Sequence, residues 1–366
     1  MKRLLKVLHI AAVTLTTIMA LALAIAGWGG CADPHCVPVA IPLLVLALPV
    51  LAGICAVLVL AWGLARQWRV ALVPTVAMLV ALPALLTVCP VTLRDAASYD
   101  PDRSFTVMAF NAESFEFVDT ALRHRPSENV RMRLRHDPDF VVLSDVYACR
   151  MMYYEMHSVQ MVRDSLFARY PYRSDGHDRV ILLSKYPFVQ RNIVLPTIAF
   201  SGGYFPRDLY HHHAMAYDIT MPDGSQFTII GTQLVSFNLD EEERRLYGIA
   251  NGSALDKMHN AWCRRASQAR KLADIARSQT SNLIVCGDFN DVPASYAYRT
   301  LRDAGLDDAR LATTTGLTPT YNAHHLLFTI DHILYRGNLC PVSYISLHEG
   351  TSDHYPQLAT FTFTAP

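Results

Sequence analysis

Long runs of apolar residues without a single charge dominate the first 95 positions of the chain. They cover Val7–Trp28, Val37–Leu64 and Val70–Val91. Each is close to or longer than the roughly 20 residues that an α-helix needs to cross the hydrocarbon core of a bilayer. A cleaved signal peptide has a shorter apolar core, and a buried helical hairpin would not supply three such runs in succession. The pattern therefore predicts an anchor of three transmembrane helices.

The basic residues around these runs predict how the chain is oriented. Lys2, Arg3 and Lys6 precede the first run, Arg66 and Arg69 lie between the second and third, and the loop between the first two has neither lysine nor arginine. Because basic loops stay on the cytoplasmic side, the N-terminus is expected in the cytoplasm. An odd number of spans then places the remainder of the chain on the extracytoplasmic side, periplasmic or extracellular.

Beyond residue 95, short apolar runs of β type alternate with helical patterns and turn residues. The predicted helices are Asn129–His136 and about Glu241–Ser278, and the predicted strands are Phe105–Phe110, Phe140–Leu143, Val180–Leu183, Ala214–Thr220, Gln226–Thr232, Leu283–Cys286, Thr329–Tyr335 and Leu358–Thr364. Many short strands with a few helices favour an α/β fold in which two sheets pack face to face beneath helices. The chain is thus predicted to divide into a membrane anchor, 1–95, and a second domain, 96–366.

Charge separates the two predicted domains. The first 95 residues contain six basic and two acidic residues of the 32 and 32 in the whole chain, so residues 96–366 have 26 basic and 30 acidic side chains. A mildly acidic domain has no basic footprint for long duplex DNA. It still admits a phosphate-bearing substrate, because bound divalent cations change the local charge. Cys31 and Cys36 share one short loop, and the spacing leaves open both a disulfide and two free thiols.

The segment Leu283–Pro293 has the strongest chemical signal, because a buried strand runs into Gly287-Asp288-Phe-Asn290. Gly287 allows a sharp turn at the strand end, so that Asp288 and Asn290 project into one cleft. A carboxylate in such a place can hold a nucleophilic water, and a nearby amide can donate to a phosphoryl oxygen. Taken alone, this tetrapeptide is also an ordinary turn.

Five further polar residues stand at the ends of, or inside, apolar strands. Asn111 and Asp145 each follow a strand, and Asp353-His354 precedes the last one. Asp331 interrupts an apolar strand, where a carboxylate is costly unless it is paired. His354 is the expected partner of Asp331.

In this order along the chain, the strand-end motifs resemble the endonuclease/exonuclease/phosphatase superfamily, which has the deoxyribonuclease I-like fold. The resemblance covers about Ser104 to Phe363 and extends to Val180-Ile-Leu-Leu-Ser-Lys-Tyr-Pro187 and to Arg265-Ala-Ser-Gln-Ala269. It implies a four-layer α/β sandwich and hydrolysis of a phosphoester assisted by Mg²⁺ or Mn²⁺. The implied substrates are a nucleic acid, a phospholipid or a small phosphodiester, and the bilayer is the other expected partner. No protein partner is indicated.

The resemblance also implies roles for individual residues. Asp288 would orient and activate the attacking water with Asn290 beside it, and His354, held by Asp331, would contact the phosphate or transfer a proton. The implied metal-binding residues are Asn111, Asp145 and Asp353.

Two positions depart from the family pattern. Asp145 stands where the family has its main metal-binding glutamate, one methylene longer. Gln233 replaces a frequent histidine; it can donate a hydrogen bond to a bound phosphoester, but it cannot deliver a proton. These departures motivate an alternative hypothesis, a catalytically impaired pseudoenzyme that acts as a membrane-tethered binding domain.

Overall fold

The computed structural model describes most of the chain. The described residues are 2–92, 100–101, 103–112, 128–145, 166–174, 180–196, 214–237, 239, 253–279, 281–323 and 327–364. Contacts between Cα atoms divide the chain into two compact units. The first contains Met1–Pro90, Phe237–Ala266 and Val292–Arg299, and the second contains Val91–Ser236, Ser267–Asp291 and Thr300–Pro366. The division at residue 95 stays a prediction.

The apolar N-terminal segment forms four α-helices: α1 Lys2–Gly29, α2 Ala40–Leu46, α3 Leu48–Leu64 and α4 Trp68–Val88. By length and composition α1 and α4 could each cross a membrane, and α2 with α3 would be a third span if this bent pair counts as one. The pair bends by 69°. Pro49 lies in the first turn of α3 and has no N–H to continue the hydrogen bonding of α2, which accounts for the break within the predicted second span. Cys31 and Cys36 are free thiols.

The described strands of the second unit form two mixed sheets of six strands each. Their orders are β11-β12-β1-β2-β4-β3 and β5-β6-β7-β8-β10-β9. The strands are β1 Ser104–Asn111, β2 Phe140–Ser144, β3 Tyr172–Arg173, β4 Val180–Ser184, β5 Phe188–Ile193, β6 Ala214–Thr220, β7 Gln226–Gln233, β8 Asn282–Asp288, β9 Asp307–Asp308, β10 Asp331–Arg336, β11 Leu339–Ser346 and β12 Gln357–Phe363. All eight predicted strands are present, whereas β3, β5, β9 and β11 were not predicted.

Alternate residues of the central strands face the other sheet and form the core between the two sheets. In β1 these residues are Phe105, Val107 and Ala109, and they belong to one buried cluster with residues from both sheets. The sheets approach closely at Gly231 of β7, where a Cβ atom would lie 2.8 Å from a methyl carbon of Val142 and 2.7 Å from one of Val180. A glycine is therefore required for this sheet separation.

Helices cover the outer faces, which explains why β1, β2 and β8 are buried on both sides. Val130 and Met132 of α5, Glu128–His136, pack with Met108 and Val141 of the first sheet. In the second sheet, the side chain of Gln268 on α6, Ser253–Ser278, accepts a hydrogen bond from the backbone N–H of Val235 just after β7. Two shorter helices are α7, Tyr296–Arg302, and α8, Ala309–Thr313. The predicted four-layer α/β sandwich is thus confirmed; the predicted start of the long helix, residues 241–252, lies outside the described residues.

Candidate active site

The inner faces of both sheets change from apolar to polar at one end, and this change builds the candidate site. The inward alternation of β1, β2, β7, β8 and β10 continues into Asn111, Ser144, Gln233, Asp288 and Asp331. Asn111 is paired in register with Ser144, and Asp288 with both Gln233 and Asp331. Polar groups far apart in sequence therefore meet between the sheets.

Asp288 ends β8 and is 1% exposed. Its Oδ1 accepts a hydrogen bond from the backbone N–H of Asn290 at 2.7 Å, and its Oδ2 accepts one from Asn290 Nδ2 at 3.0 Å. Asn290 adopts a left-handed φ of 52° in this tight turn. The turn follows Gly287, whose φ is 129° and whose Cβ, if present, would lie 2.1 Å from the carbonyl oxygen of Thr232. Only a glycine fits there, in agreement with the turn expected from the sequence.

His354 and Asp331 form the predicted pair. His354 Nδ1 donates to Asp331 Oδ2 at 2.9 Å, and both side chains are buried. The ring of Tyr321 lies edge-on to the imidazole at a centroid distance of 5.0 Å. The paired carboxylate satisfies the buried imidazole and fixes the orientation of its ring, so that Nε2 is directed away from Asp331.

Asn111 lies between Asp288 and His354. Its Nδ2 donates to Asp288 Oδ2 at 2.8 Å and lies 3.5 Å from His354 Nε2. Ligand atoms of Asp288, Asp331 and His354 all lie within 4.8 Å of one another. Three ionisable groups and an amide are thus concentrated in one buried space.

Burial and proximity shift the acid–base properties of this cluster. Loss of solvation, together with the neighbouring Asp331 carboxylate, raises the pKa of Asp288 to about 7. Burial alone would lower the pKa of His354, but the charges of Asp331 and Asp288 outweigh it and raise that pKa to about 10. Both groups are therefore shifted towards their protonated forms.

The donor set fits a divalent cation. Carboxylate and amide oxygens are the ligands that Mg²⁺ and Mn²⁺ prefer. The raised pKa of Asp288 shows that negative charge is disfavoured in this space without a compensating cation. Asp288 and Asp331, with Asn111 between the sheets, are the groups beside which such an ion would bind.

The remaining predicted site residues lie outside this cluster of three. Asp353 precedes His354, its Oδ1 lies 3.9 Å from His354 Nε2, and its side chain is 35% exposed. Asp145 follows β2 with a left-handed φ of 55° and is half-buried. Gln233 is buried beside Asp288, and among the described residues its Oε1 has no hydrogen-bond partner. Metal binding by Asp145 and Asp353 and substrate binding by Gln233 stay predictions.

Sequence reasoning missed the residues that support the site. Thr320 is fully buried and its Oγ1 accepts hydrogen bonds from the backbone N–H groups of Ile330 and Asp331, at 3.0 and 3.1 Å. Ser352 Oγ donates to the carbonyl oxygen of Asn111 at 2.8 Å and accepts from the backbone N–H of His354 at 3.1 Å. The position of Ser352 next to the Asp353-His354 motif could have suggested its supporting role. Nothing in the sequence around Thr320 indicates that this residue supports the site.

Comparison with known proteins identifies a family for the chain. The model of the family described as Endonuclease/Exonuclease/phosphatase family matches residues 108–354, about two thirds of the chain. No curated protein matches.

Three of the solved structures that are similar to the chain illustrate the match. An endonuclease/exonuclease/phosphatase from Beutenbergia cavernae is 16% identical with a TM-score of 0.48, covering 72% of both chains. The human Nocturnin catalytic domain with bound sulfate is 19% identical with a TM-score of 0.45, covering 74% of this chain and 98% of the other. A mannosyl-6-phosphatase of Bacteroides thetaiotaomicron is 14% identical with a TM-score of 0.45, covering 71% and 100%.

Proposed function

Because the chain belongs to the endonuclease/exonuclease/phosphatase family, we propose that it is a membrane-anchored hydrolase that cleaves a phosphoester with the help of Mg²⁺ or Mn²⁺. The observation that carries this proposal is the buried group of Asp288, Asp331 and His354, which Asn111 of the other sheet contacts through Asp288. Such a group combines a carboxylate base, an oriented imidazole and neighbouring amides, which are the parts that phosphoester hydrolysis needs.

Each residue has a distinct part in the proposed mechanism. Asp288 accepts a proton from the attacking water, and its raised pKa makes it a stronger base than an ordinary carboxylate. The His354 cation, kept charged and oriented by Asp331, faces the phosphoryl oxygens and stabilises their growing negative charge. As the bond from phosphorus to the leaving oxygen breaks, the same imidazolium can give that oxygen a proton.

A bound divalent cation would neutralise charge on the phosphoryl oxygens and lower the pKa of a bound water. We assign its binding to Asn111, Asp145 and Asp353. Asn290 and Gln233 complete the site as groups that contact the substrate. A buried acceptor without a partner costs about 1–3 kcal/mol, which a substrate hydroxyl or water hydrogen-bonded to Gln233 Oε1 would recover.

Two arguments favour a small or lipid phosphoester over a nucleic acid as the substrate. Residues 96–366 carry more acidic than basic side chains, so they offer no general attraction to long DNA. Attachment to a bilayer also keeps the hydrolase close to lipid head groups.

The test uses the full-length protein in detergent micelles. It is assayed on bis-p-nitrophenyl phosphate, plasmid DNA and a phospholipid panel, with Mg²⁺, with Mn²⁺ and with EDTA. Asp288→Ala is the inactive variant, and Asp274→Ala, at a well-exposed position on α6, is the matched control. We expect metal-dependent turnover that Asp288→Ala abolishes and Asp274→Ala keeps; turnover equal in all three proteins would contradict the proposal.

The pseudoenzyme hypothesis is favoured by two observations. Asp145 lies outside the group of ligand atoms within 4.8 Å of one another, and Gln233 occupies its position without an acid function. This hypothesis predicts no turnover on any substrate, while phosphoesters still bind and raise the melting temperature. The same panel, read by turnover and by melting temperature, separates the two functions.

The anchor and its orientation are a separate part of the proposal. With the N-terminus in the cytoplasm and the bent pair α2–α3 counted as one span, the hydrolase unit is extracytoplasmic; with two spans it would be cytoplasmic. A C-terminal fusion to alkaline phosphatase, which is active only outside the cytoplasm, tests this point. An active fusion supports three spans, and an inactive fusion that is nevertheless expressed overturns them.

A further inference from the structure

Asn129 connects helix α5 to the loop that carries Asp353 and His354. It lies in the first turn of α5 and is 2% exposed, which is unusual for an asparagine. Its Oδ1 accepts a hydrogen bond from the backbone N–H of Thr351 at 3.2 Å, and its Nδ2 donates to Thr351 Oγ1 at 3.1 Å. One buried amide therefore holds a loop residue through both of its polar atoms.

The loop is built around this contact. Gly350 has a φ of 95°, and a Cβ at this position would lie 2.9 Å from Asn129 Oδ1. On the other side of Gly350, Glu349 forms an ion pair with Arg135 at 2.7 Å, and its Oε1 lies 3.3 Å from His136 Nε2. Since these are exposed or half-buried pairs, they add little free energy, and the buried amide is the stronger connection.

Thr351 is linked to the candidate site through the residue that follows it. The next residue, Ser352, donates to the carbonyl oxygen of Asn111 and accepts from the backbone N–H of His354. A shift of Thr351 would therefore move both His354 and the backbone of Asn111. Asn129 touches neither the Asp288 carboxylate nor the imidazole, so its influence on the site is indirect.

We propose that Asn129 is a positioning residue for phosphoester hydrolysis, which fixes His354 against Asp331 and Asn111 through Thr351 and Ser352. This inference rests on the proposed function. A catalytic group displaced by about 1 Å can lose roughly 100-fold in rate. Asn129→Leu, which removes both hydrogen bonds at similar size, should lower kcat by about 10- to 100-fold and change KM little.

The experiment compares variants of the full-length protein in micelles. Asn129→Asp retains an acceptor for the Thr351 N–H and should recover most of kcat, and Arg131→Leu, at an exposed position of the same helix, is the control. Thr351→Val removes the hydroxyl from the loop side, so a moderate loss of kcat is expected even if Asn129→Leu does not fold. Hydrogen exchange of residues 350–355 gives a readout apart from activity, and exchange should be faster in Asn129→Leu and Thr351→Val than in the control.

The outcomes separate this inference from the proposed function. An inactive wild-type protein contradicts the proposed function. An active wild type in which Asn129→Leu and Thr351→Val keep the kcat and exchange rates of Arg131→Leu overturns the positioning role alone. A loss of kcat that Asn129→Asp does not recover, accompanied by a general loss of folded protein, would also overturn it, since Asn129 would then be purely structural.

Discussion

Replacing Thr320 by valine tests whether the hydrogen bonds of its hydroxyl group support the site. Valine has nearly the same shape as threonine, so the packing of this fully buried side chain is kept. The substitution removes one oxygen atom, the acceptor for the N–H groups of Ile330 and Asp331. The backbone carbonyl of Thr320, which accepts from the N–H of Tyr355 at 2.6 Å, is unchanged. The variant thus removes these two hydrogen bonds and leaves the backbone contact in place.

The expected magnitude follows from these two bonds. A buried donor left without an acceptor costs about 1–3 kcal/mol. The Asp331 N–H is buried and the Ile330 N–H is partly buried, so we expect a loss of about 2–4 kcal/mol in the free energy of unfolding. For a unit of this size the melting temperature should fall by at least about 4 °C. Because Asp331 orients His354, kcat should also fall.

The assay is thermal unfolding of the full-length protein in micelles, and Thr318→Val is the matched control. Thr318 is half-buried two residues away, and among the described residues its Oγ1 has no hydrogen-bond partner. Its replacement should leave the melting temperature unchanged or slightly higher. If Thr320→Val lowers the melting temperature no more than Thr318→Val does, the reasoning about these two bonds is refuted.

Three further predictions concern the site itself. Gly287→Ala should yield little folded protein, because its φ of 129° is strained for alanine and the new Cβ would lie 2.1 Å from the carbonyl oxygen of Thr232; normal expression and melting would contradict this. Burial raises the pKa of Asp288 to about 7, so its contribution to stability is complete below the unfolded pKa and is lost as the pH rises through 7. Mg²⁺ should therefore raise the melting temperature more at pH 8 than at pH 6, and an equal rise at both would refute the link. His354→Gln should lower kcat by about 10²- to 10⁴-fold. The control is His348→Gln, whose exposed ring stacks on Tyr355, and it should leave kcat unchanged.

Part of the site was predictable from the sequence because polar residues at the ends of apolar strands are rare and costly. Asp331, in an apolar stretch of the sequence, required a partner, and His354 is that partner at 2.9 Å. The glycine before Asp288 predicted the turn. These inferences need only the alternation of apolar and polar positions and the properties of single residues.

What the sequence by itself determined is therefore the central strands and the identity of the groups at their ends. Only the tertiary structure decided which of these groups meet. Asn111 contacts Asp288 across 177 residues, and Asn129 reaches Thr351 across 222. The break between α2 and α3 and the support from Thr320 also emerged only there. The physical reason is that local patterns determine the direction of a side chain within its own strand or helix, whereas contacts between elements depend on register and packing, which arise from the whole chain.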